Sequence, residues 1–304
     1  MTKTLISIVG PTAIGKTSLS VLLAKHFNTE IISADSRQFY KEMNIGTAVP
    51  SEDELKAAPH HFIQHKSIKE KYSVGDFEKD AIETINQIHK YNPVVVMVGG
   101  SGLYVDAVTK GLDDFPKIDA SIRENLNQQL KNKGLESLQN QLKELDGRSY
   151  DNIAIENPHR VIRALEICIG TGKPFSYFLT NKNKAREFKT IIIGLDAERE
   201  LIYNRINQRV DIMIDNGLIN EAKRLYRYRD LNALNTVGYK ELFEFFDGNI
   251  SLDFAISEIK KNTRRFAKRQ LTWFRKNKEI NWFDYTTNTN ESIDFLENEI
   301  KKTS

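Results

Sequence analysis

Residues 4–27, "TLISIVGPTAIGKTSLSVLLAKHF", decide the fold. The stretch opens with a short run of mostly β-branched apolar residues that ends at Gly10. Such a run reads as a parallel strand buried on both faces. Gly10, Pro11, Thr12, Ala13, Ile14, Gly15, Lys16 and Thr17 then match the phosphate-loop pattern G-x-x-x-x-G-K-[ST]. In such a loop successive backbone N–H groups curl around phosphate oxygens, and the following helix presents its positive end. Gly10 and Gly15 permit close backbone approach, Lys16 reaches the terminal phosphate, and the Thr17 hydroxyl can bind Mg2+. The residues after the loop read as a helix with Leu19, Leu22 and Leu23 on one side. Strand, loop and helix in that order distinguish a working phosphate loop from a chance glycine turn.

Working outward, "TEIISADS" (29–36) reads as a second strand ending at Asp35. Residues 73–92 read as a helix with Phe77, Ala81, Ile85 and Ile88 on one face. "PVVVMVGGSGLY" (93–104) is a third buried strand running into a glycine turn. Alternating strands and helices imply a parallel sheet covered by helices on both faces. From about residue 117 to 189 the pattern changes to helices without a strand: "ASIRENLNQQLKNKG", "LESLQNQLKELD" and "NPHRVIRALEICIGTG". A strand returns at "KTIIIGLD" (189–196). A long helical pattern from Glu198 to Tyr226 breaks at Gly217, and another covers residues 251–277. A short strand "INWFDY" follows, and the polar "TTNTNES" (286–292) reads as a loop. The expected fold is α/β: a P-loop NTPase-like parallel sheet flanked by helices, with an inserted all-helical domain and a helical C-terminal region. Residues 1–116 with 190–304 form the expected catalytic core, and 117–189 the insertion.

Composition excludes several classes. Of the 304 residues, 40% are hydrophobic and 28% charged, with a net charge of +3, as in an ordinary globular chain large enough for a substantial core. No apolar run approaches the ~20 residues that span a membrane, and the first apolar stretch is a strand and not a signal peptide. Cys168 is the only cysteine, which excludes an intrachain disulfide and points to a reducing cytoplasm. Its apolar neighbours give it a packing role over that of a nucleophile.

The loop binds phosphate, but a nucleotide hydrolase also needs an acid at another strand end to hold Mg2+. The strand "VVVMV" ends in "GGSG", without a carboxylate. A phosphotransferase for small molecules, or a transferase with a diphosphate leaving group, fits better. Asp35 has two readings: a turn cap, or a group at the carboxyl edge of the sheet that takes a proton or holds a metal. Ser36, Arg37 and Gln38 follow it as a polar cluster suited to a substrate. Arg205 and Arg209 lie one helical turn apart, as surface arginines or as a bidentate diphosphate clamp. His60, His61 and His65 lack the acid or cysteine neighbours of a metal site, which leaves structural or substrate-lining roles.

Between Lys260 and Lys278 stand nine Lys or Arg residues and no Asp or Glu. Lys260, Arg264 and Lys268 form one helical row, and Lys261, Arg265 and Arg269 the next. Ile256, Ile259, Phe266 and Trp273 are placed to face the core. A single-signed face this long favours a polyanion, with nucleic acid the leading partner, over a merely solvated surface. Arg123, Arg160 and Arg163 are candidates to extend it.

Together these stretches resemble the tRNA dimethylallyltransferases. The resemblance rests on "GPTAIGKT", "ISADSRQFYKEMNIGTA", "PHHFI", "YSVGDF", "VGGSGLY", "NPHRVIRALE", "NTVGYKEL" and "TRRFAKRQLTWFRK", in the family's order across residues 10–276. Two departures are Ser101, where threonine is usual in "GGTGLY", and Gln64, where an acid is common. The resemblance implies transfer of a dimethylallyl group from dimethylallyl diphosphate to N6 of an adenosine just 3′ of the tRNA anticodon. It implies that Gly10 through Thr17 hold the diphosphate, with Mg2+ at Thr17. It implies Asp35 as the general base, Ser101 beside the reaction centre, and Arg209, with or without Arg205, stabilising the leaving group. tRNA contacts are implied at Asp35, Ser36, Arg37, Gln38, Ser101 and Arg123. Further contacts are implied at His159, Arg160, Val161, Ile162 and Arg163, at Gly238, Tyr239 and Lys240, and at Arg264, Arg265, Lys268 and Arg269. A cytoplasmic monomer that grips the anticodon stem-loop is expected. The competing classes are a prenyltransferase acting on free adenine nucleotides, a phosphate-loop kinase and a non-catalytic RNA-binding module.

Overall fold

The computed structural model describes residues 2–180 and 184–302. Its strands are β1 (Thr4–Val9), β2 (Ile31–Ser33), β3 (His60–His61), β4 (Val94–Val98), β5 (Lys189–Asp196) and β6 (Asn281–Asp284). Its helices are α1 (Lys16–His26), α2 (Glu52–Ala57), α3 (Val74–Ile88), α4 (Gly102–Thr109), α5 (Ala120–Leu145), α6 (Gly147–Asn152), α7 (Pro158–Thr171), α8 (Phe175–Phe178), α9 (Arg199–Asp215), α10 (Leu218–Leu225), α11 (Tyr239–Phe246), α12 (Leu252–Phe274) and α13 (Thr289–Lys301).

All six strands pair parallel, in the order β3-β2-β4-β1-β5-β6. β1 is central, with Ile6 opposite Val96 on one side and Ile191 on the other. Alternation along β1 sends Ile6 and Ile8 to one face, where they pack with Leu23 of α1, Ile206 of α9 and Leu296 of α13. Leu5 and Val9 go to the other face, against Phe77, Ala81 and Ile85 of α3 and Val105 of α4. Each such fully buried side chain contributes about 1.5–3 kcal/mol of transfer free energy, which is why the strands read as unbroken apolar runs.

Local signals set the helix limits. The side chain of Ser73 accepts from the N–H of Asp76, whose carboxylate accepts from the N–H of Ser73 at 2.8 Å, so α3 starts in a capping box. Gly217, at φ 97°, separates α9 from α10. α13 starts inside the polar run expected to be a loop: Asn288 caps it, its side chain accepting from the N–H of Asn290. On α1 the buried residues are Leu19, Ser20, Val21, Leu23 and Ala24, and Leu22 falls past the edge of that stripe, 46% exposed.

The described chain divides into Met1–Lys110 with Ala185–Ser304, and Gly111–Lys184. The divisions precede the expected 116/117 and 189/190. Arg186 already belongs to the larger unit, donating to Glu78 at 2.7 Å and to the carbonyl of Ala107 at 2.6 Å. Within the larger unit a third apolar cluster unites Val210, Leu218 and Ala222 with Leu234, Tyr239, Leu242 and Ile259. In the smaller unit every described element is helical. Its core holds Leu126, Leu138, Leu142, Leu165 and Cys168. Cys168 is buried there, and burial pushes its thiol pKa up, away from nucleophilic reactivity.

Candidate active site

The loop between β1 and α1 is shaped by its glycines. Gly10 has φ 143°, and a Cβ there would stand 2.6 Å from the carbonyl oxygen of Leu195 on β5. Only glycine allows the chain to leave the sheet so close to its neighbour. The Lys16 ammonium is folded back onto the carbonyl of Pro11 at 2.6 Å. Burial lowers its pKa to about 7, opposed by the charge of Asp35 and reinforced by that of Arg209.

Two helices brace the loop. From α9, Arg205 donates to the carbonyl of Ala13 at 2.7 Å and to the hydroxyl of Tyr285 at 2.7 Å, its guanidinium over the tyrosine ring. Arg209, one turn on, donates to Thr12 Oγ1 at 3.3 Å. Burial, and then repulsion from Arg205, lower the pKa of Arg209, an arrangement relieved by an arriving anion. From α12, the buried amide of Gln270 accepts from the N–H of Thr12 at 2.8 Å and donates to the carbonyl of Gly100 at 2.9 Å. A Cβ on Gly100 would lie 2.2 Å from Gln270 Nε2, so a side chain there would displace this amide.

Asp35 stands two residues beyond β2, its carboxylate capping the N–H of Arg37 at 3.0 Å. The turn cap is thus present, and it leaves Asp35 at the carboxyl edge of the sheet. Ser101 begins α4, and its Oγ lies 3.2 Å from both the N–H and the Oγ of Ser36. Gln38 donates to the carbonyl of Ala48 at 2.8 Å. Arg37 reaches across to the carbonyls of Ala233 at 3.0 Å and Asn235 at 3.3 Å, binding the 35–38 turn to the segment before Gly238.

Two cavities meet at these residues. One, of about 520 Å3, is lined by the loop with Lys16 and Thr17, by Arg205 and Arg209, and by His60. The other, of about 530 Å3, is lined by Ser36, Arg37, Ser101, Lys240, Arg269 and Trp273. Thr12, Asp35, Gly100 and Arg209 line both. Cations line both cavities, Lys16, Arg205 and Arg209 the first and Arg37, Arg209, Lys240 and Arg269 the second, and Asp35 stands where they join. His60 donates from Nδ1 to the carbonyl of Ala58 at 2.8 Å, leaving Nε2 without a partner at the cavity wall. His61 pairs with Glu30 at 2.5 Å, and His65 sits among the rings of Phe39, Phe62 and Tyr72. A third cavity, of about 500 Å3, lies away from the loop beside Arg199, Lys268 and Trp282.

Three expected contacts are corrected by burial. Val161, Ile162 and Tyr239 are at most 2% exposed, so their side chains build cores and offer nothing to an RNA. Arg123 and Arg163 both clamp Glu166, at 2.8 Å and 3.0 Å, while His159 and Arg160 are exposed. On α12, Lys260 pairs with Asp211 at 2.6 Å and Arg264 donates to Asn207 at 2.7 Å, both partners on α9. Arg265, Lys268 and Arg269 stay exposed. Phe266 and Trp273, expected in the core, are 38% and 39% exposed and line the second cavity, because Ala255, Ile259, Ala267 and Phe274 already fill the packed face. Glu221 escaped the sequence reading altogether. Its buried carboxylate accepts from the N–H groups of Asn44, Ile45 and Gly46 at 3.1, 2.9 and 2.9 Å, and from the Tyr239 hydroxyl at 2.6 Å.

No cluster of three His, Cys, Asp or Glu side chains suited to a metal exists among the described residues. The oxygens at hand are the Thr17 hydroxyl and the Asp35 carboxylate beside a cationic phosphate cradle. That sparse donor set fits a hard divalent cation whose remaining ligands are diphosphate oxygens and water. No helix among the described residues is long and apolar enough to cross a membrane.

Fold and site together define a phosphate-loop protein whose cationic loop cavity meets a second cavity at Asp35 and Arg209. The family model described as IPP transferase matches residues 38–277. The chain belongs to this family of prenyltransferases, which use a divalent metal. It is 64% identical over 300 residues to the tRNA dimethylallyltransferase of Christiangramia forsetii, covering 99% of both chains. It is 45% identical to tRNA dimethylallyltransferase 1 of Bacteroides fragilis, over 98% of this chain and 99% of the relative. Among solved structures it resembles the full-length tRNA isopentenylpyrophosphate transferase of Bacillus halodurans (TM-score 0.72, 41% identity, 99% and 96% coverage). It also resembles a eukaryotic dimethylallyltransferase acting on tRNA (TM-score 0.83, 28% identity, 97% of this chain and 80% of the other).

Proposed function

We propose that the protein transfers the dimethylallyl group of dimethylallyl diphosphate to N6 of the adenosine just 3′ of the anticodon in tRNA, releasing diphosphate. One observation carries this reading. Asp35 and Arg209 line both cavities, so a base and an anion-stabilising cation stand where acceptor and leaving group meet.

The exocyclic amine attacks the allylic carbon, and the carbon–oxygen bond to the diphosphate breaks with its electron pair on oxygen. Asp35 accepts the N6 proton as the new carbon–nitrogen bond forms, which offsets the poor nucleophilicity of an aromatic amine. The loop N–H groups, Lys16, Arg205 and Arg209 stabilise the charge that develops on the departing oxygen. Thr17 would hold a divalent cation such as Mg2+, which would supply further neutralisation of that charge. Ser101 and Ser36 sit beside Asp35's turn and orient the acceptor edge. The adenine must leave its stack to enter, which costs less in an anticodon loop than in a duplex. Phe266, Trp273 and Arg269 on the cavity wall are suited to receive it and its neighbours. Arg265 and Lys268 on α12, and His159 and Arg160 of the helical unit, offer exposed groups for the RNA backbone.

The test supplies labelled dimethylallyl diphosphate and Mg2+ with unmodified tRNA in one reaction and AMP in another. Label in tRNA is expected. Label in AMP alone, or in neither acceptor, contradicts the reading.

A further inference from the structure

The phosphate loop is held from outside by two helices that are themselves bound together. Thr12 is the meeting point: its backbone N–H goes to Gln270 of α12, and its hydroxyl receives Arg209 of α9. The two helices are pinned to each other by Lys260 with Asp211 and by Arg264 with Asn207. Gln270 also holds the carbonyl of Gly100, in the turn that leads directly to Ser101. One buried amide therefore ties three things: the loop that receives phosphate, the turn that places Ser101, and the helix that carries the exposed cationic row.

The chemistry of this amide is specific. Its oxygen accepts from one strand-end turn while its nitrogen donates to another, and both groups are spoken for. A rotation or shift of α12 cannot occur without moving the Thr12 N–H or breaking a buried hydrogen bond. Leaving such a donor unmet is disfavoured. A backbone N–H turned toward Gln270 is also fixed in direction relative to its neighbours in the loop. The position of α12 thus sets how the loop presents itself to an anion.

We propose that Gln270 is a positioning residue that couples α12 to the phosphate loop, so that RNA docking on α12 and diphosphate binding in the loop strengthen each other. This rests on the functional reading above. Linkage makes the coupling reciprocal: the factor by which RNA tightens diphosphate equals the factor by which diphosphate tightens RNA.

The experiment measures the Kd of inorganic diphosphate with Mg2+, with and without an unmodified anticodon stem-loop RNA, in the wild-type protein, Gln270→Leu and Gln270→Met. The wild type is expected to bind diphosphate about fivefold or more tightly when RNA is present. In Gln270→Leu that ratio falls toward one, while RNA affinity without diphosphate stays within about twofold of wild type. Gln270→Met keeps the length of the side chain and removes both hydrogen bonds, so it is expected to show the same loss of ratio. It serves if the leucine variant does not fold. A wild-type ratio of one, or an unchanged ratio in a folded variant, overturns the coupling. RNA that binds neither wild type nor variant overturns the functional reading and the coupling with it.

Discussion

The Lys16 ammonium lies 2.6 Å from the carbonyl oxygen of Pro11, within its own loop, and burial holds its pKa at about 7 instead of 10.5. The lysine is parked against the backbone until an anion arrives. Between pH 7 and 10.5 the unfolded chain keeps this proton and the folded chain gives it up, so the stability of the ligand-free protein rises with pH across that window. Below pH 7 the fold carries the full cost of burying the charge. Lys16→Met is therefore expected to raise the melting temperature of the ligand-free protein near pH 7, by about 2–5 °C, while weakening diphosphate binding. Calorimetry at pH 8 in buffers of different ionisation heat should show proton uptake on diphosphate binding by the wild type and not by Lys16→Met. No uptake in the wild type would place the charged lysine elsewhere.

Asp35 caps its own turn and still faces both cavities. Asp35→Asn preserves the acceptor for the Arg37 N–H and removes the base. It should lower kcat by about 10²–10⁴, with RNA affinity nearly unchanged. Single-turnover rates checked against gel-shift binding distinguish this from a misplaced turn, which would weaken both.

The two arginines of α9 have different surroundings. Arg205 is engaged by Ala13 and Tyr285, whereas Arg209 lines both cavities and touches Thr12. Arg209→Ala is expected to depress kcat by about 10²-fold through lost leaving-group stabilisation. Arg205→Ala should act mainly on the KM for the prenyl diphosphate. Steady-state kinetics with the reverse pattern would exchange their roles.

Much of this architecture is legible in the chain because it is written locally. The phosphate loop is eight contiguous residues, the strands are short apolar runs, and Gly217 interrupts a helix where it stands. The faces of α12 are not local. Phe266 and Trp273 look like core residues until Ala267 and Phe274 are seen to occupy the packed side. Gln270 meets Thr12 across 258 residues of sequence, and Glu221 meets the 44–46 turn across 175 to 177. Polar residues inside an amphipathic pattern carry no mark of the backbone group they will satisfy. The same holds for Arg123 and Arg163, whose shared partner is the buried carboxylate of Glu166.

Glu221 illustrates what such a residue contributes. It gathers three N–H groups and the Tyr239 hydroxyl; burial, and then the charge and hydrogen bond of this carboxylate, push the tyrosine pKa up. Glu221→Ala leaves the buried Tyr239 hydroxyl and three part-buried N–H groups unmet and should cost about 3–5 kcal/mol in urea unfolding, against about 1 kcal/mol for Tyr239→Phe. Equal losses would mean that the carboxylate is not the hub of this turn.

The cationic row of α12 divides by partner. Arg265→Ala and Lys268→Ala remove exposed charges and should each reduce the salt dependence of stem-loop binding by about one unit in the slope. Lys260→Ala removes a charge already paired with Asp211 and should leave the slope unchanged.

The central claim is that the loop cradles a departing diphosphate and not a nucleotide triphosphate. The most direct measurement digests tRNA treated with enzyme, Mg2+ and dimethylallyl diphosphate in ATP-free buffer, locates the modified nucleoside by mass spectrometry, and quantifies the diphosphate released. The expected result is one dimethylallyl group on N6 of the adenosine 3′ of the anticodon for each diphosphate released, without ATP. A requirement for ATP, or a prenyl group elsewhere in the tRNA, would contradict it.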